Sequence, residues 1–132
     1  MKNDVLVMAI KPKYARAIYE SRKNWEFRKA PPPLFRLVFL YESEPVSAIT
    51  GSCVFIASIS GSADSVMSMI ECLPSRVENQ VGISLDELKV YAGAKTVTAL
   101  RIAETLRLQY PVKLKCRPPQ NWCRMATLAD AE

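Results

Sequence analysis

The chain has 132 residues, enough for one domain but not for two ordinary ones, and its 49% hydrophobic and 23% charged residues are typical of a globular protein. It contains no histidine and its four cysteines form no CxxC pair, which excludes a Ser-His-Asp or Cys-His nucleophile, a zinc finger and most catalytic metal centres. The net charge of +5 is uneven, since residues 11–36 hold eight basic and two acidic side chains and residues 101–132 hold six and three.

The first third of the sequence predicts three strands and one helix. Val5–Ile10 alternates loosely, as a strand does, and residues 12–21 repeat apolar side chains at helical spacing behind a proline suited to the first turn. Trp25–Arg28 alternates apolar and charged residues, which indicates a half-buried strand. The three prolines of Pro31–Pro33 cannot donate to a sheet and require a loop before the strand Leu37–Tyr41.

The middle of the chain predicts a long strand and then a helix. Val46–Ile59 has the composition of a strand, with a bulge or bend at Gly51. Ser62–Cys72 carries apolar residues at helical spacing behind Ser and Asp, which are favoured N-cap residues.

The last third predicts one more helix and one or two strands. Ser84–Glu87 fits the capping box S-x-x-E, and Gly93 is placed to end the helix that follows. The residues of Thr96–Leu108 predict one long strand, and Val112–Leu114 is a candidate for a further strand. Five to six strands flanked by two or three helices predict a single α+β domain over residues 1–132, in which a small sheet curls into a barrel with the helices outside.

The densest cluster of charged and aromatic residues lies in the predicted second strand. Strand alternation places Glu26 and Arg28 on one face and Trp25 and Phe27 on the other, and we expect the aromatic pair to point into the barrel. Lys23, in the turn ahead, can lean over the charged face. Such a cation–anion–cation set can hold a phosphate or orient the polar edge of a base, although a solvated ion pair on the barrel exterior explains the same pattern.

Other candidate residues lie at element ends. Lys11 stands where a strand gives way to a helix, whose free N–H groups favour an anion, and Ser43 lies in a turn at a strand end. Tyr14 and Trp122 can stack on a base, although an aromatic residue serves more often in packing. The candidate ligand-binding residues are Lys11, Tyr14, Lys23, Glu26, Arg28, Lys29, Ser43, Gln120 and Trp122.

Taken together these segments resemble the ASCH domain of the PUA-like superfamily. Its motif GxKxxExR is matched at Lys23, Glu26 and Arg28, with Ser21 in the place of the glycine. Three further motifs of one subgroup, IKP-x-Y-A, Y-x-S-x-P-V and PPQ, are matched at Ile10–Ala15, Tyr41–Val46 and Pro118–Gln120. The resemblance therefore extends over almost the whole chain.

The resemblance implies a small β-barrel with a cleft against the first helix, where the motif residues converge, and RNA binding with a role in transcription or translation. One branch of the family hydrolyses acetylated cytidine with the motif lysine, a threonine and a later glutamate. Lys23 matches the lysine, Glu26 stands in the place of the threonine, and residues 80–82 offer no counterpart of the glutamate. Lys23 and Glu26 are thus the candidate catalytic residues if the protein is an enzyme.

We predict an RNA- or nucleotide-binding module with a basic cleft, needing no metal or cofactor. The alternatives are a small hydrolase acting on RNA or a modified nucleoside, and a module whose partner is a protein. No apolar run approaches the roughly 18 residues of a membrane helix, and Val5–Ile10 is too short for the core of a signal peptide. We therefore expect a cytoplasmic protein without membrane contact; the sequence leaves its oligomeric state open.

Overall fold

The computed structural model describes residues 5–74 and 80–125. Within these ranges the predicted α+β class is confirmed, and all of the helices and strands but the last strand, Trp122–Met125, were predicted. In chain order they are β1 (Val5–Ile10), α1 (Pro12–Tyr19), β2 (Trp25–Arg28), β3 (Leu37–Glu42), β4 (Ala48–Gly61), α2 (Ala63–Glu71), α3 (Leu85–Ala92), β5 (Val97–Val112) and β6 (Trp122–Met125). Val112 is the last residue of the long strand β5 rather than the first of another strand.

The strands form one mixed sheet in the order β2-β5-β4-β3-β1-β6. β1 and β3 are parallel, and the other neighbouring pairs are antiparallel. The expected closure into a barrel is wrong for the described residues, because β2 and β6 are the two edges and no backbone ladder joins them. β6 pairs only with residues 5–8 of β1, which leaves the end of β1 open to a side chain from β2.

The sequence signals for the starts of two helices and for a bulge correspond to features of the structure. Pro12 occupies the first turn of α1, and the Ser84 side chain accepts from the Glu87 amide in a complete capping box at α3. The register between β4 and β5 shifts between Ile49 and Gly51, which confirms the bulge. A side chain at Gly51 would collide with the backbone oxygen of Leu106 in β5 and with the Tyr19 hydroxyl of α1, so glycine is required at this position. No helix within the described ranges is long and apolar enough to cross a membrane.

Both faces of β2 are buried, which corrects the predicted orientation of its side chains. The main core lies beneath α1 and includes Leu6, Phe55 and Leu100. Trp25 and Phe27 pack instead in a second cluster, beneath α2 and α3. Glu26 lies opposite Leu100 of β5, which belongs to the main core beneath α1. The alternation is therefore as predicted but the faces are exchanged, because the helices α2 and α3 cover the side of β2 that was expected to be the exterior.

Candidate functional site

A cleft of about 780 Å³ lies between α1, the end of β1, the strand β2 and the helix α3. Most of the residues predicted to bind a ligand line it: Lys11, Tyr14, Lys23, Glu26, Arg28, Ser43 and Gln120. Residues from both halves of the chain therefore meet in one concavity. Its volume falls within the range of roughly 300–1,000 Å³ in which proteins bind small molecules.

The ammonium group of Lys23 is buried at the floor of the cleft. Its side chain is 2% exposed, and Nζ lies 3.5 Å from Oε1 of Glu26. Nζ also donates a hydrogen bond of 3.1 Å to the carbonyl oxygen of Val81, which lies shortly before α3 in the chain. The ring centroids of Tyr14 and Phe27 both lie 5.1 Å from Nζ, at distances typical of cation–π contacts. Lys23 is thus held in one position rather than solvated.

Burial lowers the pKa of Lys23 below its ordinary value, and the Arg28 charge adds to this effect while the Glu26 carboxylate opposes it. The amine therefore releases its proton more readily than an exposed lysine does. Burial, together with the same Glu26 carboxylate, raises the pKa of the core thiol of Cys53 to about 12. The Glu26 carboxylate thus acts on groups on the α1 side of the sheet, and the solvated exterior ion pair is excluded.

Arg28 joins the two open edges of the sheet. Its Nε donates to Glu26 Oε2 at 2.8 Å, one terminal nitrogen donates to the Ala9 carbonyl of β1 at 2.7 Å, and the other donates to Asn121 Oδ1 at 2.8 Å. The bonds to Ala9 and Asn121 connect β2 to β1 and to the segment before β6, to neither of which β2 is joined by a backbone ladder. Arg28 therefore closes the sheet with its side chain, and Glu26 is fixed between Arg28 and Lys23.

Two of the predicted ligand residues lie outside the cleft lining. The Trp122 indole N–H donates to the Ala30 carbonyl at 2.9 Å, and its ring packs against the main core, so it has a structural partner instead of an open face on the cleft. Lys29 lies beside Tyr91 of α3, with Nζ 4.8 Å from the ring centroid.

The wall opposite α1 was missed by the sequence analysis. It is formed by α3 and the residues before it, and it contributes Ile83, Asp86, Glu87, Val90 and Tyr91. Hydrogen bonds from Ser84 lower the pKa of Glu87, which keeps its carboxylate charged. With these two acidic residues the lining holds four cations and three carboxylates, so the predicted basic cleft is nearly balanced in charge. The capping box at Ser84 predicted the helix, but no signal in the sequence indicated that α3 faces α1.

The family model of the ASCH domain matches residues 8–106. The chain belongs to the ASCH domain family. The crystal structure of ASCH from Zymomonas mobilis is similar over 94% of this chain and 89% of that chain, with a TM-score of 0.76 and 21% sequence identity. A mutant of the same protein gives a TM-score of 0.75, 21% identity and coverage of 92% and 89%. At this identity the likeness shows the fold. The comparison with curated proteins found no match.

The turn between α1 and Lys23 has a left-handed residue at Ser21. Ser21 stands at the motif glycine's position and has a φ of 61°, in the left-handed region that favours glycine. The amide of Arg22, the next residue, donates to the Ala17 carbonyl at 2.8 Å and holds the turn against the end of α1. The turn therefore carries the chain from α1 to Lys23 at the floor of the cleft, at a cost in backbone strain.

Proposed function

We propose that this ASCH domain binds single-stranded RNA or a free nucleotide, with one base held in the cleft between α1 and α3. The proposal is carried by the pair at the cleft floor, where Nζ of Lys23 and Oε1 of Glu26 lie 3.5 Å apart, both on buried side chains. A donor beside an acceptor is complementary to the edge of a nucleobase, which presents an acceptor beside a donor.

The pair retains capacity for a ligand. An ammonium group has three donors, and Val81 accepts from Lys23 at 3.1 Å while Glu26 Oε1 lies at a longer 3.5 Å. The other carboxylate oxygen of Glu26 is occupied by Arg28 at 2.8 Å. Oε1 therefore keeps lone pairs for a ligand N–H group. A base edge that bonds both atoms would supply partners to buried charges, which are costly to leave incompletely bonded.

The walls and the mouth of the cleft match the rest of a nucleotide. Tyr14 from α1 and Tyr91 with Val90 from α3 offer aromatic and apolar surface on which a base can stack. Lys11 and Lys13 are exposed at the start of α1, where a phosphate is favoured by their charge and by the helix N-terminus. A nearly balanced lining suits one base with one phosphate better than it suits a densely charged polyanion. A regulatory role in transcription or translation stays a prediction.

Binding can be tested by titrating the four ribonucleoside monophosphates and a labelled single-stranded RNA. We expect Lys23→Met and Glu26→Gln to weaken binding at least about tenfold, the cost of roughly one charged hydrogen bond. Lys113→Met, which removes an exposed lysine outside the cleft, should bind like the wild type. Thermal unfolding of each variant establishes that it folds. Unchanged affinity in both floor variants, or no binding of any probe by the wild type, would refute the proposal.

A second candidate, hydrolysis of an acylated nucleoside, is favoured by the lowered pKa of Lys23 beside a carboxylate. A neutral amine can take a proton from water or attack an acyl group, as the ammonium ion cannot. The test is release of acetate from N4-acetylcytidine. Activity that rises as Lys23 deprotonates and that disappears in Lys23→Arg would support it, whereas no release at any pH would leave binding as the function.

A further inference from the structure

A second, smaller depression adjoins the cleft along α1. Its volume is about 220 Å³, and its lining includes Arg16 of α1, Arg22 of the turn after α1, and Gly82. Lys13, Tyr14 and Glu87 line both this depression and the cleft. The two concavities are therefore neighbours, and these three residues form their common border. We call the smaller one the α1 groove.

The α1 groove differs from the cleft in charge density and in size. It holds three cationic side chains and one carboxylate, a net charge of +2 in under a third of the cleft's volume. It is smaller than the roughly 300 Å³ at the lower end of small-molecule pockets, so a base with its sugar does not fit inside it. A compact anion such as a phosphate group does fit, and guanidinium groups bind phosphate through two parallel hydrogen bonds.

The two arginines are available to a ligand. Arg16 is exposed on the solvent face of α1, and among the described residues its guanidinium forms no ion pair. Arg22 pairs with Glu20 at 2.7 Å, but the two side chains are 59% and 49% exposed. Exposed pairs of this kind contribute little free energy, so a phosphate can replace the Glu20 carboxylate at low cost.

We propose that the α1 groove binds the phosphate next to the nucleotide whose base occupies the cleft. The preferred ligand is then a single-stranded oligonucleotide that passes over Tyr14, not a free mononucleotide. This inference rests on the proposed function of the cleft. Lys13 marks the path between the two sites, because its Nζ lies 4.8 Å from the centroid of the Tyr14 ring and it lines both concavities.

The experiment compares affinities for a nucleoside monophosphate, a dinucleotide and a tetranucleotide that carry the same base, in ribose and deoxyribose forms. We expect the wild type to bind the dinucleotide at least about tenfold more tightly than the monophosphate, because one charge-assisted hydrogen bond contributes roughly that factor in affinity. The double variant Arg16→Gln/Arg22→Gln should lose this gain and keep its affinity for the monophosphate. Its affinity for the tetranucleotide should also depend less steeply on salt, by about one unit of slope.

The matched control is Arg36→Gln/Arg124→Gln, which removes two exposed arginines outside both concavities and should retain the gain. Two results would show that the α1 groove is not a phosphate site while the cleft proposal stands. One is a wild type that binds the monophosphate and the dinucleotide with equal affinity. The other is an Arg16→Gln/Arg22→Gln variant that still binds the dinucleotide more tightly than the monophosphate. If the wild type binds neither monophosphates nor oligonucleotides, both proposals fail. Equal gains with ribose and deoxyribose strands would identify the phosphate backbone, not RNA itself, as what the groove recognises.

Discussion

Gly82 lies directly against the aliphatic stem of Lys23. A methyl group built on Gly82 would lie 2.9 Å from Cγ and 3.0 Å from Cβ of Lys23. These distances are shorter than ordinary van der Waals contacts between carbon atoms. Gly82 also has a φ of 68°, in the region that favours glycine. Gly82 follows Val81, the hydrogen-bond partner of Lys23, and therefore determines where the lysine side chain can lie.

Replacing Gly82 by alanine should therefore displace Lys23 and weaken ligand binding. The matched control is Gly93→Ala, since Gly93 also has a positive φ of 60° but nothing within 4 Å of its built methyl group. Both variants should lose about 1–2 kcal/mol of unfolding free energy through backbone strain. Only Gly82→Ala should change nucleotide affinity and the NMR signal of the Lys23 ammonium group. An equal effect of the two variants on affinity would contradict this positioning role.

The stability of the protein should depend on pH through Lys23. Burial keeps its pKa in the folded protein below the ordinary value of 10.5, which the unfolded chain retains. Between those two values the unfolded state binds more protons than the folded state, so the free energy of unfolding rises with pH in that window. Urea titrations from pH 7 to pH 10.5 should show wild type gaining stability relative to Lys23→Met. Parallel curves for the two proteins would show that Lys23 is not perturbed.

Arg28 should contribute more to stability than any exposed cation. Arg28→Met removes the partner of a carboxylate that is 7% exposed and leaves the Ala9 carbonyl and Asn121 without their donor. Breaking a buried pair in this way costs about 3 kcal/mol or more. Arg22→Met, which removes an exposed pair, should cost less than about 1 kcal/mol. Chemical denaturation measures both; similar values would mean that Arg28 does not hold the sheet together.

The strained motif turn predicts a stabilising substitution. Ser21→Gly should raise the free energy of unfolding by about 1 kcal/mol, because glycine adopts the observed φ of 61° without a steric penalty. Ser21→Ala is the matched control, since it keeps the strain and should change stability by less than about 0.5 kcal/mol. A destabilised Ser21→Gly variant would indicate that the serine side chain makes a contribution that outweighs the strain.

Local sequence signals predicted every described helix and strand except β6, and much of the cleft. The capping box at Ser84 and the proline at the start of α1 act within one helical turn, so the sequence is sufficient to find them. The convergence of Lys11, Lys23 and Gln120 was expected from the family resemblance and is present in the cleft lining.

The orientation of β2 and the acidic wall could not be predicted in the same way. Alternation in Trp25–Arg28 separates two faces but does not say which one meets the main core, because that depends on where α2 and α3 pack. The position of α3 opposite α1 is a contact between distant parts of the sequence. For the same reason Trp122 was interpreted as a stacking residue, although its indole bonds to the Ala30 carbonyl, 92 residues away in the chain.

The side-chain closure of the sheet has a consequence for biosynthesis. Arg28 emerges from the ribosome long before Asn121, its partner 93 residues later, and Trp122 reaches back to the same region. During translation, therefore, the nascent chain carries Glu26 and Arg28 without the contacts that complete their surroundings. The cleft can be completed only after Asn121 has left the ribosome, since Arg28 depends on a contact 93 residues away in the chain.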